Sequence, residues 1–145
     1  MKNILLATIV NLLLVTAAFA RDSVENYSIA EAMALEQTKN TLGTEVSFYF
    51  GDTPSPKAVT KYGEFKTNKK TNAFNKSDLQ ACQWAFLSAM VALRDRALKE
   101  GGNAVINIKS NYKSNLNSST ETFQCGAGNV VAGVALVGTV VKIEK

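Results

Sequence analysis

The sequence contains no histidine, only two cysteines and two prolines, and a single tryptophan. The lack of histidine excludes a Ser-His-Asp hydrolase and removes the commonest general base and the commonest transition-metal ligand. Two cysteines with scattered carboxylates do not make a zinc site of the usual kind. The sequence therefore predicts a protein that is not an enzyme, with no catalytic residue, no metal ligand and no cofactor.

Nucleotide-binding motifs are also missing. No Gly-x-x-x-x-Gly-Lys-Ser/Thr sequence occurs, so nothing supports nucleotide hydrolysis of the P-loop kind. The segment at residues 126–131 begins like a dinucleotide-binding fingerprint, but β-branched Val131 stands where the third small residue belongs. We therefore predict a turn at residues 126–131.

Length and composition indicate one folded domain. The chain has 145 residues, of which 46% are hydrophobic and 19% charged, and this composition excludes a disordered or collagen-like chain. A chain of this length typically forms a single domain. The formal net charge of +4 is too small an excess to identify a partner.

The N-terminal segment has the pattern of a secretory signal peptide. Lys2 precedes an apolar stretch at residues 4–15, and residues 18–20 form an A-x-A cleavage site. A transmembrane anchor is the alternative, but Asn11 interrupts the apolar run, which is shorter than the about 20 residues of a spanning helix. We predict a signal peptide at residues 1–20 that is cleaved after Ala20, a single domain at residues 21–145, a periplasmic or secreted location and no stable membrane span.

Export changes the meaning of the two cysteines, because thiols pair in an oxidising compartment. Cys82 and Cys125 lie too far apart in the sequence for the Cys-x-x-Cys arrangement of catalytic dithiols. We predict a structural disulfide between them, with two free buried thiols as the alternative. On the chain-entropy model this disulfide stabilises the fold by up to about 4 kcal/mol.

Helix and strand signals alternate in the first part of the domain. Apolar positions at helical spacing, with Ser28 as the N-cap, predict one short helix at residues 28–40. Alternation predicts a strand at residues 45–50. A weaker extended stretch is expected at residues 61–67, followed by a polar loop at residues 68–76.

The strongest local signal is a long helix at residues 77–100. Ser77 begins a capping box, and Gly101 ends the helical pattern. Apolar residues at spacings of three and four predict its main buried face: Leu79, Cys82, Phe86, Ala89, Leu93 and Ala97. A second apolar group widens the buried arc: Trp84, Leu87, Val91 and Leu98.

Three extended segments follow the long helix, at residues 104–109, 120–125 and 129–143, with a solvent-exposed connection at residues 110–119. Gly133 and Gly138 are predicted to be bulge or close-approach positions. Short connections favour an antiparallel sheet, and the long helix must cover one of its faces. We therefore predict an α+β two-layer domain in which the long helix packs on a mainly antiparallel sheet.

A basic segment at residues 57–76 combines lysines with aromatic residues. Its cations are Lys57, Lys61, Lys66, Lys69, Lys70 and Lys76. Such a group binds anionic lipid, glycan or nucleic acid in other proteins, and Tyr62, Phe65 and Phe74 are candidates for stacking on bases. The alternative is a solvated loop, because all six cations are lysine rather than bidentate arginine.

Several motifs resemble those of a family of small exported bacterial proteins that are commonly labelled "excinuclease ATPase subunit". They are Lys70-Thr71-Asn72-Ala73-Phe74, Cys82-Gln83-Trp84-Ala85-Phe86-Leu87-Ser88-Ala89, Gly101-Gly102-Asn103-Ala104-Val105-Ile106-Asn107-Ile108 and Phe123-Gln124-Cys125-Gly126-Ala127-Gly128. The label implies DNA-repair ATPase activity; because the sequence has no nucleotide-binding loop, we regard the label as a misnomer. More distantly, the chain is similar to YbjQ-type domains and to the RcsF envelope-stress sensor. Those resemblances imply an α+β fold, with oligomerisation or partner binding in the former and signalling in the latter.

Two functions follow as hypotheses. The first is a non-enzymatic exported binding module of the bacterial envelope, whose partner is an envelope protein or a second copy of the chain in a homo-oligomer. The alternative is an electrostatic binder of an anionic ligand, either a polymer (nucleic acid or glycan) or a lipid, through the basic segment from Lys57 to Lys76.

Overall fold

The computed structural model describes residues 22–145, and the predicted signal peptide at residues 1–20 lies outside the described residues. The described part contains ten elements of secondary structure. In chain order they are β1 (Asp22–Ser28), α1 (Ile29–Ala34), α2 (Glu36–Leu42), β2 (Ser47–Phe50), β3 (Ala58–Asn72), α3 (Asp78–Glu100), β4 (Ala104–Tyr112), β5 (Asn115–Asn117), β6 (Thr122–Gly128) and β7 (Val131–Ile143).

The strands form one sheet in which β7 is central. β3 pairs antiparallel with β7 along its whole length, from Ala58 opposite Ile143 to Asn72 opposite Val131. The other edge of β7 pairs antiparallel with β6 near its start and with β4 further along. β1 lies antiparallel outside β6, β5 forms an antiparallel hairpin with β4, and β2 runs parallel to β4. The sheet is mixed but mainly antiparallel.

The helix α3 packs on one face of this sheet, so the two faces of β7 have different neighbours. Val134, Leu136 and Val140 belong to the core cluster that includes the buried residues of α3, and we call this side the helix face. Gly133 and Ala135 alternate with them along the strand and lie on the other side, which we call the open face. A long helix on a mainly antiparallel sheet confirms the predicted α+β two-layer fold.

The long helix α3 begins and ends where the sequence predicts. The Ser77 hydroxyl accepts a hydrogen bond from the Gln80 backbone N–H at 3.1 Å, and Gly101 caps the C-terminus. Phe86 is fully buried, and its ring centroid lies 4.3 Å from that of Phe123 on β6. Leu79 lies in the first turn and is 44% exposed, so the buried face begins at Ala81 rather than at Leu79.

The predicted disulfide between Cys82 and Cys125 is confirmed. Their Cα atoms lie 5.8 Å apart, and both residues are fully buried. The bond joins α3 to β6 and so links the helix layer to the sheet.

The prediction of one helix at residues 28–40 is wrong, because Leu35 is extended (φ −60°, ψ 132°) between α1 and α2. Ile29 in α1 and Thr38 in α2 are both buried. In an uninterrupted helix these two side chains, nine positions apart, would point in opposite directions, because each residue turns the helix by about 100°. The break at Leu35 allows both to face the interior.

The polar loop predicted at residues 68–76 is wrong over residues 68–72, where β3 continues to Asn72. Among the described residues, β3 pairs with β7 on one side only and is therefore an edge strand. Edge strands tolerate polar residues, and lysines there discourage pairing with other chains. The polar composition that resembles a loop is thus the composition of a protected edge.

Three other segments also differ from the predictions. β1 has no counterpart among the predicted strands. The connection predicted at residues 110–119 contains the end of β4 and all of β5, joined by a turn at Lys113 and Ser114. The turn predicted at residues 126–131 is confined to residues 129 and 130, because β6 runs to Gly128 and β7 begins at Val131. In each segment polar or glycine-rich composition hides a strand that depends on its neighbour for backbone hydrogen bonds.

One of the two predicted close-approach glycines is confirmed. A Cβ atom at Gly138 would lie 2.5 Å from Val105 Cγ1, so the position has no room for a side chain. At Gly133 the nearest atom would be 3.6 Å away, which is an ordinary contact.

Candidate binding groove

A groove lies between the first half of α3 and the segment formed by Leu35 and α2. It consists of two cavities, of about 200 and about 400 Å³, and Gln37, Trp84 and Leu87 line both of them. We call the two cavities together the Trp84 groove. Leu35 contributes to the smaller cavity, and Lys69 of β3 contributes to the larger one.

The break between α1 and α2 shapes one wall of the Trp84 groove. Leu35, the extended residue at the break, is 40% exposed, whereas Thr38 is buried one turn later. The end of α2 is tied to α3 because the Arg94 guanidinium donates a hydrogen bond to the Thr41 carbonyl oxygen. Arg94 also forms an ion pair with Asp95 at 2.9 Å. The bond from Arg94 to Thr41 holds α2 beside α3.

The groove exposes large apolar side chains next to one another. Trp84 is 39% exposed, while neighbouring Leu87 is 6% exposed and forms part of the floor. Tryptophan buries much of its surface in most folded proteins, and adjoining exposed apolar residues in a concave site are typical of binding surfaces. The groove thus offers apolar contact area together with the polar indole N–H.

The charge around the groove has one sign. Lys69 and Lys70 line the larger cavity, and the other polar lining residues of the two cavities are amides and hydroxyls. Neither cavity is lined by a carboxylate. An apolar ligand that carries negative charge at its ends is therefore complementary to this surface.

The predicted apolar arc on α3 divides between groove and surface. Trp84, Leu87 and Val91 line the Trp84 groove. Leu98 is 41% exposed near the C-terminal end of α3 and does not line either cavity.

The six lysines of the basic segment are all exposed, but β3 separates them. Lys66 lies opposite Val137 and Lys70 opposite Gly133 in the register, so both project from the open face. Lys69 lies opposite Val134 and projects from the helix face. Lys57 and Lys76 lie outside β3, and Lys76 Nζ donates to the Asn72 carbonyl oxygen at 3.0 Å. Lys61 follows a register shift near the start of the strand.

The three candidate stacking aromatics lie apart from Lys66 and Lys70. The Tyr62 hydroxyl donates to the Gly101 carbonyl oxygen at 3.3 Å, and the Phe65 ring lies 4.0 Å below the Arg96 guanidinium carbon. Both rings pack against the core cluster on the helix face. Phe74 is 63% exposed in the turn before α3. The anion-binding and stacking roles stay predictions.

Within residues 22–145, no group of three or more cysteine, aspartate and glutamate side chains is placed to hold a metal ion. In the same part of the chain, no helix combines the length and the apolar character needed to cross a bilayer.

The chain was compared with family models, curated proteins and solved structures. No family model, curated protein or solved structure matches this chain. The resemblances to the exported family, to YbjQ-type domains and to RcsF therefore stay predictions that rest on the sequence motifs alone.

Sequence reasoning missed the wall of the groove formed by Leu35 and α2. Its one sequence signal is the phase of the apolar residues, because Ile29 and Leu42 would lie more than a third of a turn apart on a continuous helix at about 100° per residue. It also missed a second concave surface on the open face, where Asn111, Lys113 and Ser114 approach β3.

Proposed function

We propose that this protein is a non-enzymatic binding module, exported to the periplasm or secreted, which holds a segment of a partner protein in the Trp84 groove. The segment presents an apolar side chain with acidic residues beside it. The apolar side chain packs against Trp84 and Leu87, and the acidic residues face Lys69, whose side chain projects from the helix face.

The observation that carries this proposal is the exposure of Trp84 at 39% between two cavities. The larger cavity, of about 400 Å³, falls within the range of about 300 to 1,000 Å³ that is usual for ligand sites. Tryptophan is also among the residues that contribute most to binding energy at interfaces. Lys69 favours an acidic partner over a basic one because like charges in an interface cost binding energy.

Two further features support the exported, non-enzymatic part of the proposal. The disulfide between Cys82 and Cys125 suits an oxidising compartment. The pattern of residues 1–20 is that of a signal peptide, and the whole sequence has no histidine to act as a general base.

The groove is tested by selecting peptides from a displayed random library on the wild-type protein, with removal of peptides that also bind the bare support. We expect a consensus of one aromatic or branched aliphatic residue flanked by aspartate or glutamate. Because Trp84 is the only tryptophan, its fluorescence reports occupancy directly. Trp84→Ala should weaken the selected peptides by about 30-fold, as measured by calorimetry.

Leu98→Ala is the matched control, because Leu98 is as exposed as Trp84 on the same helix but lies outside the groove. It should leave binding unchanged. The proposal is overturned if no acidic-apolar consensus appears, or if Trp84→Ala binds the peptides as well as the wild type. A dimer in sedimentation equilibrium that Trp84→Ala abolishes would instead assign the groove to a second copy.

Export is tested by expressing the full chain in a bacterial host and analysing the fractions by intact mass spectrometry. We expect a periplasmic or extracellular product that begins at Arg21 and whose two thiols are inaccessible to an alkylating reagent. A full-length cytoplasmic chain with both thiols alkylated would contradict this part of the proposal.

A further inference from the structure

The open face of the sheet carries polar side chains from two elements. On β3, Lys66, Asn68 and Lys70 lie opposite Val137, Ala135 and Gly133 of β7. Residues directly opposite each other in an antiparallel pair share a face, so these three side chains project together from the open face. Their spacing is two residues, or about 7 Å between neighbours.

The hairpin of β4 and β5 forms the facing wall. Asn111, Lys113 and Ser114 of this hairpin line a cavity of about 240 Å³ together with residues of β3. Ala135 of β7 also lines it, and its methyl group takes little space. We call this cavity the open-face pocket, and its lining residues are Lys66, Thr67, Asn68, Asn111, Lys113, Ser114 and Ala135.

The polar side chains of the open-face pocket are all hydrogen-bond donors. Lys66 and Lys113 carry positive charge, and the two asparagine amides and the serine hydroxyl are donors as well. No carboxylate lines the pocket. The acid on the same strand, Glu64, lies opposite Thr139 and outside the lining.

A third cation stands close to this group. Lys109 of β4 and Lys66 of β3 are both opposite Val137, one on each side of β7. The side chains of Lys66, Val137 and Lys109 therefore lie in one row across the open face, with a lysine on each side of the valine. Like charges that share a surface repel one another, and a bound anion relieves that repulsion.

The hairpin turn keeps residues that are unfavourable for its geometry. Lys113 and Ser114 have φ of 50° and 63°, as in a type I′ turn, where Asn-Gly is strongly preferred. Non-glycine residues in this region cost stability and occur preferentially at functional sites. Here both residues line the open-face pocket, and an Asn-Gly turn would remove the charge and the hydroxyl.

We propose that the open-face pocket binds the dianionic head of a phosphomonoester. A phosphomonoester carries about −1.5 to −2 charges at neutral pH and three acceptor oxygens, which match the lysines and the amide and hydroxyl donors. The pocket holds a head group rather than a long polymer. The proposal is independent of the Trp84 groove, which involves the helix side of β3 and α3.

The test is a titration of the isotopically labelled full chain with inorganic phosphate and with glycerol 2-phosphate, followed by NMR at constant ionic strength. The side-chain amide signals of Asn68 and Asn111 should shift, and chloride should not move them. Lys66→Gln and Lys113→Gln should each weaken binding by about tenfold, the usual effect of losing one charge-assisted hydrogen bond.

Lys57→Gln and Lys61→Gln are the matched controls, because they remove the same charge from exposed positions outside the open-face pocket. They should change the affinity by less than about twofold. Equal weakening by all four variants would assign the binding to diffuse charge and overturn the proposal, as would unmoved asparagine signals.

A lipid head group has the same chemistry as a soluble phosphomonoester, and vesicles distinguish the two sources. Vesicles with phosphatidic acid, but not those with phosphatidylcholine alone, should bind the wild type if a lipid is the source. Lys66→Gln should reduce that binding. Vesicle binding that Lys66→Gln leaves unchanged would count against the pocket.

Discussion

On the helix face of β7, Val134, Leu136 and Val140 pack beneath the large side chains of α3, whereas on the open face Gly133 lies near the ring of Tyr112. The helix face is closed by a second layer and by a disulfide. The open face is only partly covered, and small residues leave space there for polar side chains. The same strand therefore contributes to a dense core on one side and to a shallow polar pocket on the other.

The largest effect should come from the helix face. Phe86→Ala removes a fully buried ring that stacks on Phe123, and we expect a loss of about 3 to 5 kcal/mol in the free energy of unfolding. Urea unfolding followed by circular dichroism measures it. Phe74→Ala, at a side chain that is 63% exposed, should cost no more than about 0.5 kcal/mol. Similar losses of unfolding free energy in both variants would contradict the assignment of Phe86 to the core and Phe74 to the surface.

The second-largest loss of stability should come from removing the disulfide. Replacing both Cys82 and Cys125 by alanine removes a cross-link over 43 residues of sequence separation. The expected loss is up to about 4 kcal/mol, because the unfolded chain regains the freedom that the bond restricts. Urea unfolding of the oxidised wild type is compared with that of the reduced wild type to isolate the cross-link, and the reduced wild type is compared with the double variant to measure the loss of the two sulfur atoms. An unchanged midpoint would mean that packing alone joins α3 to β6.

On the open face, the tightest contact involves Gly126. A Cβ atom there would lie 1.9 Å from the Tyr112 hydroxyl oxygen, so the tyrosine ring must move in Gly126→Ala. We expect a cost of about 1 to 3 kcal/mol from this overpacking, measured by urea unfolding.

A double variant tests whether the cost of Gly126→Ala comes from the contact with the Tyr112 ring. Tyr112→Ala removes the ring, so adding Gly126→Ala to it should cost much less than in the wild-type background. Additive losses would show that Gly126 is required for a reason other than the contact with Tyr112.

The smallest expected effect is a gain in stability. Ser114→Gly relieves the positive φ of 63° at the second central residue of the hairpin turn, and we expect about 1 kcal/mol of stabilisation. Ser114→Ala keeps the Cβ atom and should give no gain. If the open-face pocket binds phosphate, Ser114→Gly should also weaken that binding, since the hydroxyl donor is lost. A destabilised glycine variant would contradict the strained-turn interpretation.

The sequence was sufficient for the elements with strong local signals. The capped helix beginning at Ser77, the pairing of Cys82 with Cys125 and the β-branched last strand all depend on residues near one another or on composition. The two-layer fold follows from their order. Within the groove, the apolar spacing on α3 already placed Trp84 beside Leu87.

The rest depends on partners that are distant in the sequence. β1 is polar and forms a strand because β6 pairs with it, residue by residue, from Asp22 opposite Gly128 to Ser28 opposite Thr122. Residues 68–72 were predicted to form a loop, so the strand alternation that places Lys69 and Lys70 on opposite faces of the sheet was not predicted. Likewise, the second wall of the Trp84 groove requires the break at Leu35, which only packing against α3 explains.

The disulfide also encloses the hairpin covalently. Lys113 and Ser114 lie within the loop of chain that Cys82 and Cys125 close. A protease that cuts after Lys113, an exposed site in a tight turn, would thus produce two fragments that remain attached to each other. They would migrate as one species on a non-reducing gel and separate only after reduction, so an intact band does not establish an intact backbone.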